Sequence, residues 1–118
     1  MNQYKTEHIK NVEKLTEVLR KGIVQRITKN LLDVQILRLI KTQPMWGYKI
    51  KQQVEADYGV RLRHGALYPL LNKMEKEGFM ISHKEPKGGR IRKTYEITKK
   101  GLQLVNTYNE VLTEQIQA

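Results

Sequence analysis

Two stretches of this 118-residue chain carry the side chains best placed for chemistry, and both suit binding better than catalysis. The first runs HGALYPLLNK, from His64 to Lys73. It opens on two small residues, Gly65 and Ala66, and then offers His64, Tyr68, Asn72 and Lys73 as donors on positions that can avoid a buried face. Small residues at a helix start let the backbone come close to a ligand, and the free N–H groups of the first turn attract phosphate. The second stretch, KEPKGGRIRK, sets Lys84, Lys87, Arg90, Arg92 and Lys93 against Glu85 around Gly88 and Gly89. Glycines let a turn follow the contour of a polyanion, and arginine suits a narrow minor groove. Each stretch also has a plain reading: Tyr68 as a packing aromatic, Lys73 as a solvated charge, and the basic turn as a solvated tip.

Composition narrows the partner. The chain holds 22 Lys and Arg against 12 Asp and Glu, a formal charge of +10. That balance suits DNA, RNA or an anionic membrane surface. Absence of cysteine excludes disulfides and thiolate metal sites, and His8, His64 and His83 show no ligand spacing. No nucleophile is matched with a base, and the GGR turn sits in a hairpin, not in the strand-to-helix setting of a phosphate loop. No enzymatic activity, metal or cofactor is therefore expected. No apolar run approaches the roughly 20 residues of a membrane span, and MNQYKTEHIK lacks the apolar core of a signal peptide. A cytoplasmic location without membrane association is the expectation.

Periodicity gives the elements that must hold these residues. Ile9, Val12, Leu15, Leu19, Ile23 and Ile27 recur at steps of three and four, predicting a helix over 7–29. Glu7, Glu13 and Glu17 among its lysines argue against a membrane-surface helix, which favours a strongly basic polar face. Residues 31–42 are apolar over most of a helical circumference and predict a core helix stopped by Gln43-Pro44. A shorter amphipathic helix is expected over 47–58, with Gly59 as its left-handed stop. Val60 to Arg63 reads as a connection or a minimal strand. Leu67, Leu70, Leu71 and Met74 define the buried face of a helix over 65–77, where Pro69 is tolerated if it lies within the first turn. The period then changes to two: strands over 79–84 and 91–97 are joined by EPKGGR, with Ile91, Lys93, Tyr95 and Ile97 on one face. Thr98 caps a last helix to about residue 116.

The predicted fold is mainly α with a small β-hairpin: a winged helix-turn-helix over 31–97, a helix over 1–30 that supports a dimer, and a dimerisation helix over 98–118. In such a unit the third helix fits the major groove and the basic wing lies beside it. The central unit can close its own core. Leu15, Leu19 and Ile23 in the first helix and Leu102, Val105, Tyr108 and Leu112 in the last are then left uncovered. A second copy of the chain would cover them by two-fold symmetry.

Three ordered motifs carry a family resemblance over about residues 31–102. Leu32-Asp33-Val34-Gln35-Ile36-Leu37 is followed by Pro44-Met45-Trp46-Gly47-Tyr48-Lys49-Ile50. Gly65-Ala66-Leu67-Tyr68-Pro69-Leu70-Leu71 leads to Met74-Glu75-Lys76-Glu77-Gly78-Phe79-Met80. Gly88-Gly89-Arg90-Ile91-Arg92-Lys93-Thr94-Tyr95-Glu96-Ile97-Thr98 completes the set with Lys100-Gly101. Together they resemble the PadR family of transcriptional regulators. The resemblance implies a homodimer, operator DNA and usually repression. It places Tyr48, Gly65, Ala66, Tyr68, Pro69, Lys73, Gly89 and Arg90 at the DNA. Some members of that family respond to phenolic or drug-like molecules and others have no known effector, which leaves an effector for this chain open. Trp46 departs from the histidine usual in the family's Met-His-Gly-Tyr segment, and the last helix contains no Trp for aromatic drug stacking. Alternatives are a winged helix of the MarR or ArsR type, the latter disfavoured by the missing cysteines, and a plasmid- or virus-borne protein that organises or copies DNA.

Overall fold

The computed structural model describes residues 2–118. Helix α1 (Gln3–Asn30) starts on Asn2, whose side-chain oxygen accepts a hydrogen bond from the Tyr4 N–H at 3.0 Å. Its 28 residues rise about 42 Å at 1.5 Å each. Most of that length stands clear of the domain: Ile9, Val12, Leu15 and Leu19 are all about half exposed or more. Only its C-terminal part packs, where Thr28 is fully buried and accepts a 3.4 Å hydrogen bond from the side chain of buried Gln35.

Helix α2 (Leu32–Ile40) is the predicted core helix, with Val34, Ile36, Leu37 and Ile40 buried. Next comes β1 (Met45–Trp46), then α3 (Gly47–Tyr58), closed as expected by Gly59 at φ 65°. Helix α4 (His64–Lys76) is followed by β2 (Met80–Lys87), β3 (Arg90–Ile97) and α5 (Lys99–Gln117). Ile36, Leu37, Ile40, Ile50, Val54, Leu67, Leu71, Met74, Met80, Tyr95 and Val105 form one continuous core beneath α4 and the sheet.

The sheet differs from the predicted hairpin in two respects. It has three strands in the order β1-β3-β2, all antiparallel. The short strand lies at Met45–Trp46, paired Met45↔Tyr95 and Trp46↔Thr94, and Val60–Arg63 forms none. Two residues are too few to show alternation, so β1 has no signature of its own. The wing strands also run longer than predicted. Gly88 (φ 59°) and Gly89 (φ 75°) alone make the turn, and two consecutive positive φ values define a type I′ hairpin turn whose twist matches its strands. Glu85, Pro86, Lys87 and Arg90 therefore belong to the ladder.

Two further expectations need correction. Pro69 is the sixth residue of α4, beyond the first turn. It withholds the N–H that would meet the Gly65 carbonyl, and the helix continues through it. Val105 does not belong to a seam awaiting a partner: it is buried in the core of its own chain. The start of α5 is held hard against the domain. Thr98 Oγ1 accepts from the Gly101 N–H at 3.1 Å, and a Cβ on Gly101 would lie 2.2 Å from the Phe79 carbonyl oxygen. Leu102, Tyr108 and Leu112 are half-buried in the chain itself. The outward apolar residues of α5 are Val111 and Ile116 instead.

Candidate nucleic-acid interface

Helix α4 presents one face to the core and the other to solvent. Leu67, Leu71 and Met74 are buried, while His64, Gly65, Ala66, Tyr68, Pro69, Asn72 and Lys73 are exposed. The helix begins on Arg63, which offers no side-chain cap. Its carbonyl accepts from the N–H groups of Ala66 and Leu67, so the N–H groups of His64 and Gly65 face outward at the positive end of the helix dipole. Among the described residues, nothing lies within 4 Å of a Cβ built on Gly65, which leaves that turn open to an approaching backbone.

Tyr68 is partly packed and partly free. Its ring stacks on the His64 ring with centroids 5.7 Å apart and planes 5° from parallel. It also lies close to Gly47, where a Cβ would come within 2.8 Å of Tyr68 Cε1. Tyr68 stands outside the core cluster and keeps about a third of its surface in solvent (36%). The missing side chain at the start of α3 thus leaves room for an aromatic of α4.

A cleft of about 320 Å³ gathers several of the predicted residues: Tyr48, Tyr68, Asn72, Arg92 and Lys93 line it together with Trp46, Gly47, Ile91 and Tyr95. It lies where the start of α3, the exposed face of α4 and strand β3 meet. Lys87, Gly89 and Arg90 are not part of it; they sit exposed at the wing tip, beyond Ile91, which is 75% exposed. The predicted alternation of β3 holds at its base, where Tyr95 is buried, and loses its meaning at the tip, where no core lies beneath.

The basic residues of the wing divide into two kinds. Lys87 and Arg90 have no acidic partner within 4.0 Å among the described residues. Lys93 instead donates to Glu75 Oε1 of α4 at 2.9 Å, and Ser82 Oγ of β2 donates to Oε2 of the same carboxylate. These two hydrogen bonds, Ser82 first and Lys93 second, hold the Glu75 carboxyl below the usual carboxylate range. The Glu75 hydrogen bond in turn pushes the Lys93 ammonium up. Arg92 places its guanidinium carbon 3.3 Å from the centre of the Trp46 ring.

Arg61 and Arg63 lie outside the residues expected at the DNA. They flank buried Leu62 in the approach to α4 and are themselves exposed, adding two cations beside His64. The alternation of Val60, Arg61, Leu62 and Arg63 was the available signal, since it sends two apolar residues inward and two arginines out.

An exposed helix face with an open N-terminus, next to a basic hairpin, on a helix-turn-helix core, defines a winged-helix protein of the DNA-binding class. The sequence profile of the PadR-like family of transcriptional regulators matches residues 36–107. The chain belongs to that family. Among solved structures, a candidate transcriptional regulator from Thermoplasma acidophilum is similar at 28% identity and TM-score 0.69, over 78% of this chain and 89% of that one. A PadR-like transcriptional regulator from Bacillus cereus is similar at 25% identity and TM-score 0.67, over 78% and 93%. A PadR family regulator from Eggerthella lenta shares the fold at 23% identity and TM-score 0.67, over 88% and 94%. No curated protein matches. Among the described residues, no helix is long and apolar enough to cross a membrane.

Proposed function

We propose that this regulator binds an inverted-repeat operator in double-stranded DNA as a cytoplasmic homodimer and represses transcription from it. The observation that carries the reading is the single exposed surface formed by α4 and the wing. Gly65, Ala66, Tyr68, Pro69, Asn72 and Lys73 sit on the free face of α4, and Lys87, Gly89 and Arg90 stand at the wing tip beside it. Tyr68 and Asn72 suit base edges or flanking phosphates in the major groove, and the wing cations suit the adjacent backbone or minor groove.

The dimer reading rests on α1. Its Leu15, Leu19 and Ile23, with Ile9 and Val12, form an apolar stripe that nothing among the described residues covers. Val111 and Ile116 add an exposed apolar edge on α5, next to half-buried Leu102, Tyr108 and Leu112. A second copy covers such a stripe by two-fold symmetry and presents two α4 helices to DNA. In this reading residues 1–30 and the outer part of 98–118 serve the dimer, and 31–97 serves DNA.

Selection of bound duplexes from a random pool, followed by sequencing, tests both parts. Inverted half-sites with centres about 34 Å apart, or a multiple of that, are expected. A reporter carrying the selected site should be silenced when the protein is present. Recovery of unenriched random sequence would sink the operator, and a reporter that rises would sink repression.

A further inference from the structure

Arg92 and Lys93 are adjacent, basic and on the wing, which makes both look like DNA contacts. Their side chains both have partners within the chain. Alternation along β3 sends them to opposite faces of the strand. Lys93 reaches Glu75 on α4. Arg92 lies opposite Glu85 across the β2–β3 ladder, yet no ion pair joins them within 4.0 Å among the described residues. Its guanidinium goes the other way, to the indole of Trp46, at 3.3 Å from the ring centre. The register explains the reach: Trp46 pairs with Thr94, and Arg92 is the next residue along β3 on the same face as Thr94. A planar cation resting on an indole is a favourable electrostatic contact, and the fit is particular to arginine.

We infer that Trp46 is a positioning residue for DNA binding: through its stack with Arg92 it fixes the wing against the start of α3, so that Lys87 and Arg90 carry the wing's contacts to DNA and Arg92 does not. The assignment rests on the DNA-binding reading of α4 and the wing. It accounts for three observations at once. Trp46 occupies the two-residue strand that joins the wing to α3. Its ring is also near Tyr48, with centroids 6.2 Å apart, so one indole stacks on the wing's Arg92 and lies beside an exposed tyrosine at the start of α3. The tip beyond Arg92, residues 84–91, is exposed throughout, with no buried residue among the described ones to hold it.

The test uses two readouts on the full chain. Trp46 is the sole tryptophan, so its fluorescence reports the stack in the free protein without DNA. Arg92→Ala should increase quenching of Trp46 by acrylamide; unchanged emission and quenching would overturn the stack. The second readout is the dependence of log affinity on log salt, for a fluorescent duplex selected from a random pool by the wild-type chain. Trp46→Ala removes no charge. If it acts by releasing the wing, the slope falls by about 0.9 for each phosphate that the wing ceases to neutralise, and Trp46→Phe restores it. The Trp46→Ala and Arg92→Ala effects should not add in the double variant. A slope unchanged in Trp46→Ala but reduced in Arg92→Ala would make Arg92 a direct phosphate ligand and overturn the inference. Should Trp46→Ala fail to fold, Arg92→Lys decides: it keeps the charge but not the flat stack, so it should lose as much as Arg92→Ala, and near-normal binding would overturn the inference. A wild-type chain that binds no duplex would be seen before any variant is made, and would overturn the DNA-binding reading together with this one.

Discussion

Gln25 of α1 donates a hydrogen bond from Nε2 to the carbonyl oxygen of Gly59 at 2.8 Å. Gly59 is the left-handed residue that ends α3, and from it the chain runs through Val60–Arg63 into α4. Within that run, the Leu62 N–H donates to Glu55 Oε2 at 2.8 Å while Lys51 donates to Oε1 at 3.0 Å. The Leu62 N–H, and after it Lys51, hold the Glu55 carboxyl below its ordinary range. The helix proposed for the dimer is thus bonded to the turn that aims the helix proposed for DNA.

Gln25→Ala should remove one such tie. The loss expected is about 0.5 to 1.5 kcal/mol of unfolding free energy, typical of a single side-chain hydrogen bond. Urea titration measures it as a lower midpoint at unchanged slope. A midpoint equal to that of the wild type would mean the bond is replaced by water at no cost.

Gly47→Ala separates the two roles of Tyr68. The added methyl would sit 2.8 Å from Tyr68 Cε1 and 3.2 Å from its hydroxyl oxygen, so the ring must move. Because the ring is partly in solvent, stability should change by about 1 kcal/mol or less, below the usual cost of overpacking a closed core. The ratio of affinity for the selected duplex to affinity for random duplex should fall. An unchanged ratio with a much lower melting temperature would return Tyr68 to the core.

Most of the fold was legible in the residues because the relevant signals are local and redundant. Leu67, Leu71 and Met74 recur at helical spacing, Gly59 marks a helix end, and Thr98 marks a helix start; each then appears in that role. The exposed face of α4 follows from the same spacing, since whatever is not on the buried stripe faces out. Three features were not legible. Strand β1 is two residues long and exists only because β3 lies beside it. Val105 has the spacing of a seam residue, but only the packing of α5 on the domain decides which side of the helix the core takes. Arg92 and Lys93 are indistinguishable from Arg90 by charge alone, and their partners, Trp46 and Glu75, are far away in sequence.

The Glu75 network predicts a pH dependence with a definite sign. Glu75 is lowered from its ordinary value of 4.5, by Ser82 and then Lys93, so its contribution to stability is present above 4.5. It is lost as pH falls through the lowered folded value. Lys93 is raised from 10.5, so its contribution is complete below 10.5 and is lost as pH rises through the raised value. Glu75→Gln removes the charge from this network. The stability gap between wild type and Glu75→Gln should be constant at neutral pH and close as pH falls below 4.5. A gap of the same size in strong acid would show that the network's charge contributes nothing.

Sedimentation at micromolar protein concentration tests the uncovered stripe of α1. A species of twice the single-chain mass of 13.9 kDa is expected. Leu15→Glu with Leu19→Glu places charge on residues that are more than half exposed in the single chain. It should return the single-chain mass while leaving Trp46 emission unchanged. A wild-type chain that sediments as one copy would contradict the dimer.

The most direct measurement of the central claim, that α4 and the wing bind duplex DNA through exposed cations, is affinity for the selected duplex as a function of salt. If each dimer meets about 6–10 phosphates, affinity should fall by roughly 10³–10⁵ between about 50 and 200 mM salt. Arg90→Ala should flatten that dependence by about 0.9 in slope for each phosphate the arginine neutralises. A salt-independent affinity, or an Arg90→Ala variant with the wild-type slope, would contradict it.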